Sequence, residues 1–92
     1  MVLSMRELNE YRRMSDKQRQ GERGCAIRAE IDHRMRWMPK KWRSIVIERT
    51  LKRRSIVRTC MELSISKTTY FRRTAELAEW LEDTDKYLER IV

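Results

Sequence analysis

The sequence predicts an all-α fold of four to five helices, with a helix-turn-helix in the C-terminal half and a long recognition helix continuing to the C-terminus. Three features point to it. Apolar residues recur at spacings of three and four over most of the chain, and nothing suggests strands, repeats or low-complexity segments. Both glycines fall at Gly21-Glu22-Arg23-Gly24 and the single proline is Pro39, so helix breaks are few and identifiable. The tetrapeptide Leu63-Ser64-Ile65-Ser66 is too short for a loop and too polar to continue the face before it. Ser66 suits an N-cap, because its hydroxyl can accept a free backbone N–H of a new helix.

In chain order, residues 3–20 read as one polar helix with a narrow stripe of Met5, Leu8, Tyr11 and Met14. The two glycines should end it, which separates an N-terminal segment, 1–24, from the body of the domain, 25–92. From Cys25, the residues Ile27, Ile31, Met35 and Met38 make a stripe at i, i+4, i+8 and i+11 up to Pro39. Proline disfavours helical geometry at Met38 and suits the first turn of the following helix. That helix, Lys40 to Leu51, should bury Trp42, Ile45 and Val46, with Lys52-Arg53-Arg54 as the link onward. Next come Ile56, Val57, Cys60 and Leu63 on one face. The last helix presents Tyr70, Thr74, Leu77, Leu81, Thr84, Leu88 and Ile91 in unbroken three–four alternation.

Two helices joined by about four residues form a helix-turn-helix, whose second helix can enter a DNA major groove. Cys60 supplies the small side chain needed where the helices cross, and Ile65 would plug the joint. Lys67, Thr68, Phe71 and Arg72 fall opposite the Tyr70/Leu77 stripe and should face outward. The competing structure is an ordinary αα-hairpin with a solvated basic face.

Charge is distributed unevenly. The chain of 92 residues carries a formal +8, with 39% charged residues. Residues 34–73 hold thirteen basic and two acidic side chains, a net of +11, whereas 1–33 net +1 and 74–92 net −4. A concentrated positive block is the electrostatic footprint of a phosphate-binding surface. Two distant cysteines, Cys25 and Cys60, and a single His33 exclude a zinc finger on ligand count. The thiols are expected as small buried groups in a reducing cytoplasm. No secretion signal or membrane span is present, and the expected location is cytoplasmic. There is no Gly-rich phosphate loop, nucleophile motif or carboxylate cluster, and His33 and Asp32 diverge on a helix. The chain is therefore not expected to be an enzyme, and no metal or cofactor is implied. Trp37 falls off the Ile27/Met38 stripe and has no assigned role.

The stretch MPKKWRSIVIERTLKRRSIVRTCMELSISKTTYFRRTAELAEWL resembles region 4 of bacterial sigma factors. The Met38-Pro39 step, Arg43 and the Leu63-Ser64-Ile65-Ser66 turn carry the likeness. Within that superfamily, ISKTTYFRR followed by an acidic-apolar helix is most similar to small phage transcriptional regulators of the ArpU/RinA type. The likeness spans about residues 27 to 82. Ser64 stands where the family turn has glycine, and it tolerates that geometry less well.

This resemblance implies a phage-derived, sequence-specific regulator that binds double-stranded DNA at promoters and touches RNA polymerase. The chain has no room for the separate module with which sigma factors melt DNA. In matched positions Lys67, Thr68, Phe71 and Arg72 would read base edges. Ser66 would hold a phosphate at the helix N-terminus. Lys52, Arg53, Arg54, Arg58 and Arg73 would engage phosphates without sequence choice. The alternative is a small phage helical module that inhibits a host machine such as RNA polymerase by protein contact. For the C-terminal seam, Leu77, Leu81, Leu88 and Ile91 would either pair in a homodimer, the expected state, or fold back on the N-terminal helix.

Overall fold

Serine caps determine where most of the helices begin. The computed structural model describes the backbone of residues 3–91 and the side chains of residues 3–84. It contains α1 (Met5–Arg13), α2 (Asp16–Gln20), α3 (Glu22–Met35), α4 (Lys40–Ile45) with a π-helical turn (Val46–Leu51) continuing it, α5 (Ile56–Leu63) and α6 (Lys67–Ile91). The chain is all-α among the described residues. Ser4 and Ser15 each close a reciprocal capping box, with Glu7 and Gln18 respectively. Ser55 accepts the Arg58 N–H at 3.0 Å, and Ser66 accepts the Thr69 N–H at 3.1 Å.

The single helix expected over residues 3–20 is therefore two. The Ser15 box starts α2 afresh after Met14, whose backbone is extended. The glycine break also differs from expectation. Gly21 sits at the α2–α3 junction, but Gly24 is inside α3, which begins before Cys25. A Cβ at Gly24 would lie 2.5 Å from the Arg19 Cα and the Gln18 carbonyl oxygen. Glycine is there because α2 and α3 approach too closely for any side chain.

The main core joins residues of α1, α3, α4 and α6. Leu3, Leu8 and Tyr11 pack with Ile27, Ile31, Met38, Trp42, Val46, Leu77 and Leu81. At about 1.5–3 kcal/mol for each large apolar side chain buried, the N-terminal residues stabilise the domain rather than decorate it. A smaller cluster of Ile45, Cys60 and Tyr70, with Ile56, Leu63 and Ile65 against it, closes the helix-turn-helix. Trp42 belongs to the first cluster, its ring centroid 5.9 Å from that of Trp80. Ile45, rather than Trp42, lies in the cluster with Cys60 and Ile56. Trp42 and Val46, four residues apart, share one side of the helix, and Ile45 turns to the other cluster.

Polar bonds then tie α1 and α2 to the π turn. Arg19 donates to the carbonyls of Thr50 (2.8 Å), Leu51 (2.9 Å) and Tyr11 (3.1 Å), and its guanidinium lies 4.1 Å from the Tyr11 ring centroid. The last carbonyls of a helix have no amide partner of their own, and here one arginine satisfies two of them. Arg53, at φ 58°, donates to the Met14 carbonyl at 2.7 Å and pairs with Asp16 at 2.8 Å. Of the two thiols, Cys60 is buried as expected, but Cys25 is exposed on α3, the face of that helix turned away from Ile27. No helix among the described residues is long and apolar enough to cross a membrane.

Candidate nucleic-acid interface

The helix-turn-helix is closed by backbone geometry that the side chains reinforce. Ser64 ends α5 in the left-handed conformation (φ 53°, ψ 47°). The Ile65 N–H reaches the Cys60 carbonyl at 3.0 Å and the Ser64 N–H the Met61 carbonyl at 3.3 Å. That pair of bonds is a complete Schellman motif. Serine thus adopts the left-handed geometry that glycine would favour. Thr59 and Cys60 are buried at the crossing, with Ile56, Leu63 and Ile65 half-buried around them. Val57, expected on the inner face, is exposed, and Thr59 takes its place. A helix face runs i, i+3, i+4, i+7, which selects Ile56, Thr59, Cys60 and Leu63.

With the joint closed, Lys67, Thr68, Phe71 and Arg72 are all exposed, as expected, and share one side of the first two turns of α6. Phe71 is 55% exposed and held edge-on against the buried Tyr70, with ring centroids 5.3 Å apart at 80°. Arg72 is tethered but not sequestered: its Nε lies 3.7 Å from the Glu76 carboxylate, which also takes the Lys41 ammonium at 3.4 Å.

The residues expected to hold phosphates divide into two groups. Lys52 pairs with Glu48 at 3.0 Å, and Arg54 with Glu48 at 2.8 Å and Glu62 at 3.6 Å. Arg58 pairs with Glu62 at 2.9 Å, and Arg53 is held by Asp16 and Met14. The Ser66 hydroxyl is committed to its own helix, accepting from the Thr69 N–H and donating to Thr69 Oγ1. Only Arg73 of this set has no ion pair among the described residues, a property it shares with Arg36, Lys40, Arg43 and Lys67. The +11 block is therefore not a continuous field of uncompensated charge. Glu48 and Glu62 each serve two cations, so Lys52, Arg54 and Arg58 are engaged in ion pairs while the net charge of the block stays at +11. The Arg58–Glu62 pair is exposed and worth about 0–1 kcal/mol, so a phosphate can exchange with it at little cost, whereas the Arg54–Glu48 contact is buried at Arg54 Nε and Glu48 Oε2.

The proposed seam is also redistributed. Leu77 and Leu81 are fully buried within the chain's own core and offer nothing to a second copy. Leu88 and Ile91 lie outside the residues whose side chains are described. Trp37 is 72% exposed on the turn between α3 and α4, and Val57 and Met61 form an exposed i, i+4 pair on α5. Capping boxes and i, i+4 ion pairs were signals available in the sequence. The reach of Arg19 and Arg53 across more than thirty residues was not. No family model, no curated protein and no solved structure matches the chain.

Proposed function

We propose that this chain binds double-stranded DNA sequence-specifically through the first two turns of α6 and acts as a small regulator of transcription. The observation that carries the reading is the closed Ser64 turn with Lys67, Thr68, Phe71 and Arg72 exposed together just beyond it. A helix presented this way can lie in the major groove with its N-terminal residues on base edges. Lys67 and Arg72 would donate to guanine O6 and N7, Thr68 to either kind of base, and Phe71 would meet a thymine methyl. Arg73, Lys40 and Arg43 supply cations not engaged in internal pairs, and the exposed Lys52 and Arg58 would exchange carboxylate for phosphate. The likeness to sigma region 4 and to small phage regulators adds promoters as the site of action and RNA polymerase as a second contact. Such a regulator works in the cytoplasm of a bacterial host. A homodimer would match the need for two half-sites, but its seam would have to use α6 beyond Leu81.

Selection of bound duplexes from a random library, followed by titration at several salt concentrations, tests this reading. With about five phosphate contacts, log affinity should fall against log salt with a slope of roughly −4 to −5. Arg72→Ala and Lys67→Ala should lose preference at particular base pairs, about 1–3 kcal/mol each, while Arg73→Ala should weaken all sequences alike. Absence of duplex binding at low salt, or indistinguishable behaviour of the two classes of variant, refutes it. The exposed Val57/Met61 pair on α5 supports a second reading, a protein-interaction module that inhibits a host machine. That module would bind a protein partner with no sequence preference for DNA.

A further inference from the structure

We propose that Arg12 and Arg49 together form a phosphate-binding site, built where the end of α1 meets the π turn and bordered by the hydroxyl of Tyr70. If the regulator reading above holds, a backbone phosphate of the bound duplex is the ligand. Both residues are half-buried, on elements that pack directly against one another. Neither has a carboxylate partner among the described residues. Arg49 Nη1 donates to the Arg54 carbonyl at 2.9 Å, which leaves its other donors free. Arg12 Nε is buried with no acceptor at all. Tyr70 is buried on the first turn of α6, and its hydroxyl makes no hydrogen bond among the described residues.

Two half-buried like charges on elements packed together, one of them with a buried Nε that has no acceptor, are unfavourable without an anion to compensate them. Burial, followed by the charges of Arg49 and Arg13, pushes the Arg12 guanidinium below its ordinary value, and Tyr70 pulls the other way. Arg54, by contrast, has Glu48, and Arg19 has three carbonyls. Arg12 and Arg49, on adjoining elements, have no carboxylate to compensate them among the described residues. Guanidinium forks match phosphate oxygens in geometry and charge. Because Tyr70 precedes Phe71, and Arg49 bonds to the residue before the Ser55 cap, the site lies between the starts of both helices of the helix-turn-helix. A phosphate held there would flank the groove that α6 enters, and it would give the N-terminal segment a part in binding.

The test has two arms, with Arg6→Gln as the control. In the first, thermal melting is followed as inorganic phosphate replaces chloride at constant ionic strength. The parent and Arg6→Gln should show a saturable rise of a few degrees. Arg12→Gln and Arg49→Gln, placed on opposite elements, should each lose it, and Arg12→Lys should retain part of it. In the second arm, Arg12→Gln should weaken every duplex alike by roughly five- to tenfold at physiological salt and make the salt slope shallower by about 1. Loss of both effects identifies a DNA phosphate. Loss of the phosphate effect with an unchanged slope keeps the site and assigns it to a free phosphate or small phosphorylated ligand. If the parent binds no duplex, the regulator reading fails while the phosphate arm still decides the site. A phosphate shift that is absent in the parent, or equal in the parent and both glutamine variants, overturns the proposal.

Discussion

Replacing Arg19 by methionine should destabilise the domain far more than its half-buried position in a short polar helix suggests. The side chain bonds three carbonyls, those of Tyr11, Thr50 and Leu51, at 2.8–3.1 Å, and covers the Tyr11 ring. Hydrogen bonds involving a charged group contribute about 1.5–3 kcal/mol each, and an exposed cation–π contact about 0.5–1 kcal/mol. Arg19 is only half-buried, so water can reach some of the freed carbonyls. Discounting the sum by about half leaves a loss of roughly 3 kcal/mol, a large part of the 5–15 kcal/mol typical of a domain. For a chain of this length, that corresponds to a fall in Tm of about 12–24 °C. Burial and the nearby Arg53 charge push the Arg19 guanidinium below its ordinary value, but guanidinium remains charged at any working pH, so the effect should not vary with pH. Arg19→Lys should recover at most one of the three bonds, because a single ammonium cannot span them. Far-UV circular dichroism under heat and urea measures the loss. Amide exchange at Lys52, whose N–H bonds the Ile47 carbonyl at 2.9 Å, reports whether the π turn has loosened. A variant within about 0.5 kcal/mol of the parent would refute the idea that α2 anchors the support of the helix-turn-helix.

Ser64→Gly should stabilise the fold by about 0.5–1 kcal/mol, because glycine adopts the left-handed turn without Cβ strain; a lower urea midpoint would contradict the turn geometry. Trp42→Ala should cost about 3–5 kcal/mol by opening a cavity beside Trp80, Leu77 and Val46. Trp42→Phe should be much milder, since the indole N–H is buried without an acceptor and its loss breaks no bond. The Glu7 carboxyl is pushed up by burial but pulled further down by the Ser4 hydroxyl and backbone N–H, and ends below its ordinary 4.5. A depressed folded-state value means the capping box contributes stability above the unfolded value and loses it as pH falls through the folded one. Urea midpoints taken across this acid range should show that decline in the parent and a flatter curve in Glu7→Gln.

Local physics was legible in the sequence, and distant partnerships were not. The Ile27/Ile31 and Tyr70/Leu77/Leu81 stripes, the Pro39 step and the Ser66 cap are set by spacings within a turn or two, and the structure has them where periodicity puts them. Phe71 and its neighbours face outward for the same reason. Even the second N-terminal helix was written locally, in Ser15 and Gln18. What tertiary structure decided was the destination of each charged and apolar group with more than one available partner. Arg53 and Arg54 could have faced phosphates, but Asp16 and Glu48 reach them first. Leu77 and Leu81 could have paired between chains, but they are buried in the chain's own core together with residues of α1, α3 and α4. Gly24 looked like a helix break and is a crossing point, because only the approach of α2 gives its missing side chain a purpose. A periodic pattern determines which face of a helix is apolar. Which element covers that face, and which carboxylate meets a given arginine, depends on loop closures that bring residues thirty or more positions apart into contact, and a one-dimensional charge count contains no such distances.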